Sequence, residues 1–176
     1  MKLEQSHTDR PEEADSAPLK TRVLVVEDDA ITHVQLRRML SGMVAEVEVA
    51  ADGAEGLARW RQWRPDLVVT DIMMPVMNGL DMSRAIKAEE AEAQIIVVSS
   101  SSEVEHLRQA LDIGIDRYVP KPVDRRLLRD AVCKCARDLR RLRELRMARM
   151  VFDAAGEGVV VTDAAGTILA VNPAFC

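Results

Sequence analysis

Short apolar runs alternate along the chain with longer segments in which apolar residues recur every three or four positions. Five runs have the length and β-branched content of buried strands. They cover residues 22–27, 46–50, 66–71, 94–99 and 117–120. The interval between successive runs accommodates one helix and two short loops, which is the kind of connection that parallel strands require. The pattern therefore predicts a parallel sheet made from a fivefold βα repeat.

The segments between the runs carry the apolar stripe of amphipathic helices. The stripe consists of Ile31, Val34, Leu36, Met39 and Leu40 in the first segment, Leu57, Trp60 and Trp63 in the second, Met82, Ala85 and Ile86 in the third, and Val104, Leu107, Ala110, Leu111 and Ile113 in the fourth. The fourth segment opens with a capping box, Ser102 and Glu105, and ends at Gly114. A helix after each strand predicts an α/β fold with helices on both faces of the sheet.

Acidic residues follow two of the apolar runs. Glu27 and Asp28 end the run 23–26, and Asp71 ends the run 67–70. Each acid taken alone is typical of a solvated strand end. If the two strands are neighbours, however, the three carboxylates form one anionic pocket, and their mutual repulsion favours a bound divalent cation.

The motifs at the strand ends resemble, in order and spacing, those of a response-regulator receiver domain. They are Val-Val-Glu-Asp-Asp after the first strand, Asp-Ile-Met-Met-Pro-Val-Met-Asn-Gly after the third, the hydroxyl of Ser99 at the end of the fourth, and Tyr-Val-Pro-Lys-Pro at residues 118–122. The resemblance covers roughly residues 21–138. It implies a flavodoxin-like, doubly wound, five-stranded parallel sheet in the order 2-1-3-4-5, in which Glu27, Asp28 and Asp71 converge where ligands bind such sheets.

The resemblance also implies the chemistry of the pocket. Asp71 is expected to accept a phosphoryl group from a histidine kinase or a phosphotransfer protein. Mg²⁺ is expected to bind the carboxylates of Glu27, Asp28 and Asp71 and the main-chain carbonyl of Met73. The ammonium group of Lys121 is expected to meet the phosphoryl oxygens, because phosphoryl transfer depends on positioning and charge neutralisation.

Three further expectations rest on the same resemblance. Ser99 and Tyr118 would form a switch that alters the surface of the fourth helix, the fifth strand and the fifth helix after phosphorylation. The peptide bond between Lys121 and Pro122 would be cis. Asp29, which follows the acidic pair, is not expected to bind the metal.

Two other classes of function stay open. A Mg²⁺-dependent, phosphatase-like hydrolase also uses a strand-end Asp, but it has a second acid two residues later, where this chain has Met73. A receiver-like scaffold would bind partners without phosphorylation, which the complete set of acids, hydroxyl and lysine disfavours. The expected role is therefore a phosphoacceptor rather than an enzyme, although a cyclic-dinucleotide enzyme or a kinase could follow it in a longer chain.

Residues beyond the receiver region show a different pattern. Residues 124–149 predict one long helix, longer than a receiver requires, and we expect its part at 139–150 to be a linker. Apolar side chains on this helix follow the four-three spacing of a two-stranded coiled coil. They are Leu128, Val132, Cys135, Leu139 and Leu142. The final helix of a receiver accounts for the first half of this segment, and the stripe as a whole predicts a homodimer joined through the second half.

The last segment, residues 151–176, resembles the start of a PAS sensory domain. Two β-branched runs flank a tight turn at 163–166, which predicts a hairpin, and Asn172 and Pro173 then open a helix. A hairpin of this size cannot bury a core by itself. We therefore expect the chain either to end inside a second domain or to be disordered in this segment.

Composition narrows the class of protein further. The chain has 176 residues, of which 48% are hydrophobic and 30% are charged, as in ordinary globular proteins. It contains no apolar stretch of membrane-spanning length and no signal peptide, which favours the cytoplasm. The net charge of −5 does not favour direct binding of nucleic acid. The polar residues 1–20 predict a disordered tail.

Overall fold

The computed structural model describes residues 19–100 and 104–175. Its strands are β1 (Leu19–Val26), β2 (Val44–Ala50), β3 (Leu67–Thr70), β4 (Gln94–Ser99), β5 (Arg117–Pro120), β6 (Val160–Thr162) and β7 (Ile168–Val171). Its helices are α1 (Ala30–Leu40), α2 (Gly53–Trp63), α3 (Gly79–Glu89), α4 (Val104–Ile113) and α5 (Arg125–Ala154), with a short 3₁₀ turn at Pro173–Phe175. In the part of the chain that is described, no helix combines the length and apolar character needed to cross a bilayer.

The first five strands form one sheet in the order β2-β1-β3-β4-β5, and every neighbouring pair is parallel. This confirms the predicted flavodoxin-like fold and its strand order. In the register between β1 and β3, Val26 lies opposite Thr70. The residues that follow these two strands therefore leave the sheet side by side at its carboxyl edge.

The helices cover both faces of the sheet. On one face, Leu36 and Leu40 of α1 and Leu128 and Val132 of α5 pack against the alternate side chains of the central strands. The opposite face is covered by apolar residues of α2, α3 and α4. The central strands are buried on both faces, which explains why their sequences are continuous apolar runs rather than alternating ones.

Helix α1 buries a narrower stripe than the sequence pattern predicts. Leu36 and Leu40 are buried, whereas Ile31 and Val34 are 70% and 64% exposed. Ile31 and Val34 lie five and two residues before Leu36, which places them on other sides of a helix with 3.6 residues per turn. The helix itself was predicted correctly, but these two side chains do not belong to the core.

Strand β1 begins earlier than predicted. The amide of Leu19 donates a hydrogen bond to the carbonyl of Met43 at 2.8 Å. Leu19 and Lys20 therefore belong to the sheet and not to the predicted tail at 1–20. The rest of that tail, residues 1–18, lies outside the described residues, as does Ser102 of the predicted capping box.

The predicted coiled-coil stripe on α5 is largely a part of the receiver core. Leu128, Val132 and Cys135 are fully buried against the sheet. Leu139 and Leu142 are half-buried and border a cavity of about 190 Å³ below the amino edge of the sheet. A four-three spacing describes a helix that packs on a sheet as well as one that packs on a second helix. The expectation that Leu128, Val132 and Cys135 take part in an exposed dimer seam is therefore wrong, whereas for the half-buried Leu139 and Leu142 it stays a prediction.

Helix α5 extends five residues past its predicted end and is held along the amino edge of the sheet. The side chain of Asp124 caps its first turn by accepting hydrogen bonds from the amides of Arg126 at 2.7 Å and Leu127 at 3.1 Å. Farther along, the helix forms two ion pairs with residues that precede β3 and β4. The pairs are Arg143 with Asp66 and Arg146 with Glu92.

The predicted hairpin is present as the antiparallel pair β6 and β7, with Gly166 in its turn at a φ of 84°. The buried side chain of Asn172 joins this hairpin to the end of α5. It accepts a hydrogen bond from the amide of Val159 at 2.7 Å. It donates to the carbonyls of Ala155 at 3.3 Å and Glu157 at 2.9 Å. The residues of both strands are nevertheless exposed.

Truncating Leu128 tests whether the first half of the α5 stripe belongs to the core. Leu128→Ala should lower the free energy of unfolding by about 2–5 kcal/mol, because it leaves a cavity in a packed interior. The matched variant Leu127→Ala, at a neighbouring side chain that is 52% exposed, should change it by less than about 0.5 kcal/mol. Urea unfolding measures both values. Similar small losses in the two variants would contradict this assignment.

Candidate functional site

Three carboxylates meet at the carboxyl edge of the sheet. Glu27 and Asp28 follow β1, and Asp71 follows β3. The amide of Asp71 donates to the carbonyl of Val26 at 3.0 Å, so the parallel pairing continues to the point where the acids begin. Potential ligand oxygens of the three acids all lie within 4.8 Å of one another. The predicted convergence of these carboxylates is confirmed.

Lys121, just beyond β5, supplies a positive charge to this cluster. Its Nζ lies 2.6 Å from Oδ2 of Asp71 and 2.8 Å from Oε2 of Glu27. Burial raises the pKa of Glu27, although hydrogen bonding and charge attraction from Lys121 oppose that shift. Burial would by itself lower the pKa of Lys121, but its hydrogen bonds and ion pairs with Asp71 and Glu27 outweigh burial and raise the pKa.

The carboxylate of Asp71 is also held by the main chain. Its Oδ1 accepts hydrogen bonds from the amides of Ile72 at 2.5 Å and Met73 at 3.3 Å. The buried hydroxyl of Thr70 donates to the carbonyl of Asp71 at 2.8 Å. Oδ1 of Asp71 is therefore held by two main-chain amides, and Oδ2 is held by the ammonium group of Lys121. These amide contacts and the role of Thr70 were not predicted from the sequence.

Helix α3 packs unusually closely against the main chain of Asp71. The amide of Gly79 donates to the carbonyl of Ile72 at 2.9 Å. A Cβ atom added at Gly79 would lie 1.8 Å from the carbonyl oxygen of Asp71 and 2.8 Å from Oγ1 of Thr70. Only glycine permits this approach. The Asn-Gly that ends the motif after the third strand was the sequence signal for this glycine, but the main chain that the glycine contacts depends on the fold.

Asp29 serves the helix rather than the acidic cluster. Its Oδ1 accepts hydrogen bonds from the amide and the hydroxyl of Thr32, at 2.8 Å and 2.7 Å, and so caps α1. These bonds lower the pKa of Asp29. A carboxylate committed to a helix cap is poorly placed to bind a metal, in keeping with its exclusion from the predicted ligands.

The residues of the cluster fit a hard divalent cation. Three carboxylates and one ammonium leave a local charge of −2. Oε2 of Glu27 is buried and accepts no hydrogen bond, although Nζ of Lys121 lies 2.8 Å away as an ion-pair partner. Asp28 is exposed and can still be approached from solvent. Mg²⁺ takes oxygen ligands of this kind and keeps several waters.

The other predicted site residues lie around the same edge. Ser99 is buried at the end of β4, the strand next to β3. The hydroxyl of Tyr118 in β5 donates to the carbonyl of Ser99 at 3.1 Å. Met73 is on the β3–α3 loop with a side chain that is 61% exposed. The peptide bond between Lys121 and Pro122 is cis, as the resemblance implied.

Comparison with known families agrees with this fold and this cluster. Residues 23–133, more than half of the chain, match the family model of the response regulator receiver domain. The chain belongs to this family. Residues 140–176 match the model of a PAS domain, which confirms the second resemblance. That match begins inside α5, so the receiver and the PAS region share this helix.

Relatives of known name are response regulators. The response regulator MprA of Mycolicibacterium vanbaalenii is 35% identical over 144 residues, which cover 82% of this chain and 58% of MprA. MprA of Mycobacterium sp. (strain KMS) is 39% identical over 104 residues, which cover 59% of this chain and 45% of that protein. The chain thus spans about half the length of these relatives.

Solved structures of receiver domains are similar to this chain as well. A CheY-like receiver domain protein from Methanospirillum hungatei superposes with a TM-score of 0.66 at 27% identity, covering 69% of this chain and 97% of that chain. CheY in the CheX–CheY–BeF3–Mg complex from Borrelia burgdorferi superposes with a TM-score of 0.61 at 27% identity, covering 65% and 87% respectively. The receiver fold therefore accounts for about two thirds of this chain.

Adding Mg²⁺ tests the metal chemistry of the cluster. Mg²⁺ at tenfold excess over its Kd should raise the free energy of unfolding by about 1.4 kcal/mol. Asp28→Asn should remove most of this gain, because it removes one ligand charge. Asp29→Asn should retain it, because Asn still caps α1 and lies outside the ligand set. Urea unfolding with Mg²⁺ and with a chelator measures each gain. Equal gains in the two variants would contradict the ligand assignment.

Proposed function

We propose that Asp71 is the phosphoacceptor of this receiver domain. An oxygen of its carboxylate forms a bond to phosphorus, and the bond between phosphorus and the donor atom breaks. The observation that carries the proposal is the position of Lys121, whose ammonium contacts Asp71 at 2.6 Å inside the acidic cluster. The carboxylate of Asp71 thus borders both a cation-binding pocket and a positively charged ammonium group. Phosphoryl transfer depends on this combination.

The neighbouring residues have separate roles in this proposal. Glu27, Asp28 and Asp71, with the carbonyl of Met73, would hold Mg²⁺, which neutralises charge on the phosphoryl oxygens when bound. The amides of Ile72 and Met73 orient Asp71 before transfer. The ammonium group of Lys121 contacts both Glu27 and Asp71. After transfer it can move from Glu27 toward the negatively charged phosphoryl group on Asp71.

A switch follows from the hydroxyl groups at the next two strand ends. Ser99 can donate to a phosphoryl oxygen on Asp71, since a phosphoryl group adds strong acceptors and up to two negative charges. The hydroxyl of Tyr118 is bonded to the carbonyl of Ser99. A shift of Ser99 therefore alters the hydrogen bond of Tyr118 and the surface formed by α4, β5 and α5.

The donor in this proposal is a histidine kinase or a phosphotransfer protein, as is usual for receivers. The magnesium in the complex of the related CheY from Borrelia burgdorferi supports a metal-dependent site in this chain. The phosphatase-like alternative is less well supported, because the side chain two residues after Asp71 is the thioether of Met73. An enzymatic effector would belong to a longer chain, and the proposed receiver does not itself need one.

Labelling with a small phosphoryl donor tests the phosphoacceptor. Acetyl phosphate with Mg²⁺ should add one labile phosphoryl group, detected by intact mass. Asp71→Asn should abolish this addition, because an amide is a poor nucleophile. Asp81→Asn, which removes an exposed acid at the start of α3, should label normally. Undiminished labelling of Asp71→Asn would disprove the assignment, and rapid turnover of donor to phosphate would favour the hydrolase.

We also propose a homodimer, with a seam that lies farther along α5 than the predicted stripe. The proposed division of the chain is a receiver at 21–138, to which β1 adds Leu19 and Lys20, a linker at 139–150 and a PAS-like region at 151–176. Near the end of α5, the side chains of Met147, Met150 and Val151 are 68%, 69% and 67% exposed. Their three- and four-residue spacing places them on one side of the helix. Pairing two such helices would remove this apolar strip from water.

Sedimentation velocity tests the dimer. Met147→Glu should shift the protein toward monomer, because it places a charge in the middle of the proposed seam. Ala148→Glu introduces the same charge at the next, exposed position, about 100° around the helix, and should leave association unchanged. A wild type that is monomeric over a wide concentration range, or equal behaviour of the two variants, would rule out this seam.

A further inference from the structure

The loop between β3 and α3 has a strained backbone. Val76 has a φ of 66° and a side chain that is 87% exposed. A β-branched residue rarely adopts this left-handed conformation, because it is sterically strained. No burial of the Val76 side chain offsets that strain. The conformation must therefore be imposed by contacts of the neighbouring main chain.

Those contacts fix the loop at several points. Near its start, the amide of Gly79 holds the carbonyl of Ile72 at 2.9 Å. Near its end, the amide of Met77 donates to the carbonyl of Pro75 at 2.7 Å. The carbonyl of Met77 in turn accepts a hydrogen bond from the amide of Gly53 at 3.1 Å. Gly53 is the first residue of α2, so this last contact comes from a different part of the chain.

Gly53 leaves no space between α2 and the loop. A Cβ atom at this position would lie 2.5 Å from the carbonyl oxygen of Met77 and 3.1 Å from that of Asn78. It would also lie 3.0 Å from Cγ of Met77. The side-chain atom can move, but the two carbonyl groups can yield only if the loop moves. Any side chain at position 53 therefore displaces the main chain of the loop.

We propose that Gly53 is a positioning residue for the metal pocket. The inference rests on the proposed function, in which the carbonyl of Met73 is a metal ligand. Met73 lies four residues before Met77 on the same strained loop, and the contact at Met77 keeps that loop in place. Helix α2 contributes no side chain to the acidic cluster of Glu27, Asp28 and Asp71. Its effect on the metal would pass entirely through the loop backbone.

The main experiment compares Gly53→Ala with Gly56→Ala, the same change on the same helix. A Cβ atom at Gly56 would lie 2.7 Å from Sδ of Met82 and 3.0 Å from the Val26 methyl groups. These are side-chain atoms outside the loop. Gly53→Ala should weaken Mg²⁺ binding about tenfold or more, as the loss of a group that orients a metal ligand does. Gly56→Ala should stay within about twofold of wild type.

Calorimetric titration with Mg²⁺ gives both affinities, and urea unfolding reports how far each variant is destabilised. Labelling of Asp71 in Gly53→Ala should be slow at low Mg²⁺ and approach the wild-type rate at saturating Mg²⁺. Equal Mg²⁺ affinities for Gly53→Ala and Gly56→Ala would overturn the inference while leaving the proposed function intact. A wild type that neither binds Mg²⁺ nor accepts a phosphoryl group would overturn the proposed function itself.

A measurement on the wild type covers the case in which Gly53→Ala does not fold. If the Gly53 contact favours metal binding, bound Mg²⁺ must favour that contact to the same extent. Saturating Mg²⁺ should therefore slow hydrogen exchange of the Gly53 amide more than that of the Gly56 amide. The amide of Gly56 bonds to the carbonyl of Asp52 within the helix start. Equal protection of the two amides would overturn the inference.

Discussion

The ion pairs between Lys121 and the carboxylates of Glu27 and Asp71 are the interaction on which the site depends. The side chain of Glu27 is fully buried and that of Asp71 nearly so. An unpaired carboxylate in such surroundings costs several kcal/mol and tends to take up a proton. Lys121 offsets part of that cost for two acids at once, at distances of 2.8 Å and 2.6 Å. It leaves a net negative charge that still attracts a divalent cation. The fold thus keeps the pocket anionic without making it unstable.

The parallel strands were predictable from features that repeat in the sequence, and the acidic cluster was predictable because the receiver resemblance also implied the strand order. Apolar runs end at acids, and once two parallel strands are neighbours, the residues that follow them meet at one edge. Contacts that depend on the distance between main-chain atoms were not predictable in this way. The amides of Ile72 and Met73 that hold Asp71, and the approach of Gly53 to Met77, have no periodic signature. The sequence shows a glycine at position 53, but it does not show which main-chain atoms that glycine contacts.

Helix α5 shows why an apolar stripe does not by itself identify a partner. Leu128 and Val132 have the spacing of a coiled coil, yet they complete the core over β1, β3, β4 and β5. A sheet and a second helix both accept side chains at three- and four-residue intervals, so the pattern determines which side of the helix is apolar and not what covers it. The length of the helix was informative instead. A receiver needs helix α5 only up to about Cys135. The residues of α5 beyond that point form a separate contact along the amino edge of the sheet.

The proposed phosphoacceptor and the extension of α5 lie at opposite edges of the same sheet, and they are joined by a shared core. Val98 precedes Ser99, Val119 follows Tyr118, and both pack in the cluster that buries Val132 of α5. A packed core of this kind transmits displacement because it has little free volume to absorb it. Contact alone does not create coupling, however. Phosphorylation can move α5 only to the extent that the two states of the switch differ in the free energy of its contacts. The ion pair of Arg146 with Glu92 is exposed on both sides and individually weak, whereas in the pair of Arg143 with Asp66 only the arginine is exposed. A small free-energy difference between the two states of the proposed switch would therefore be enough to break the pair of Arg146 with Glu92.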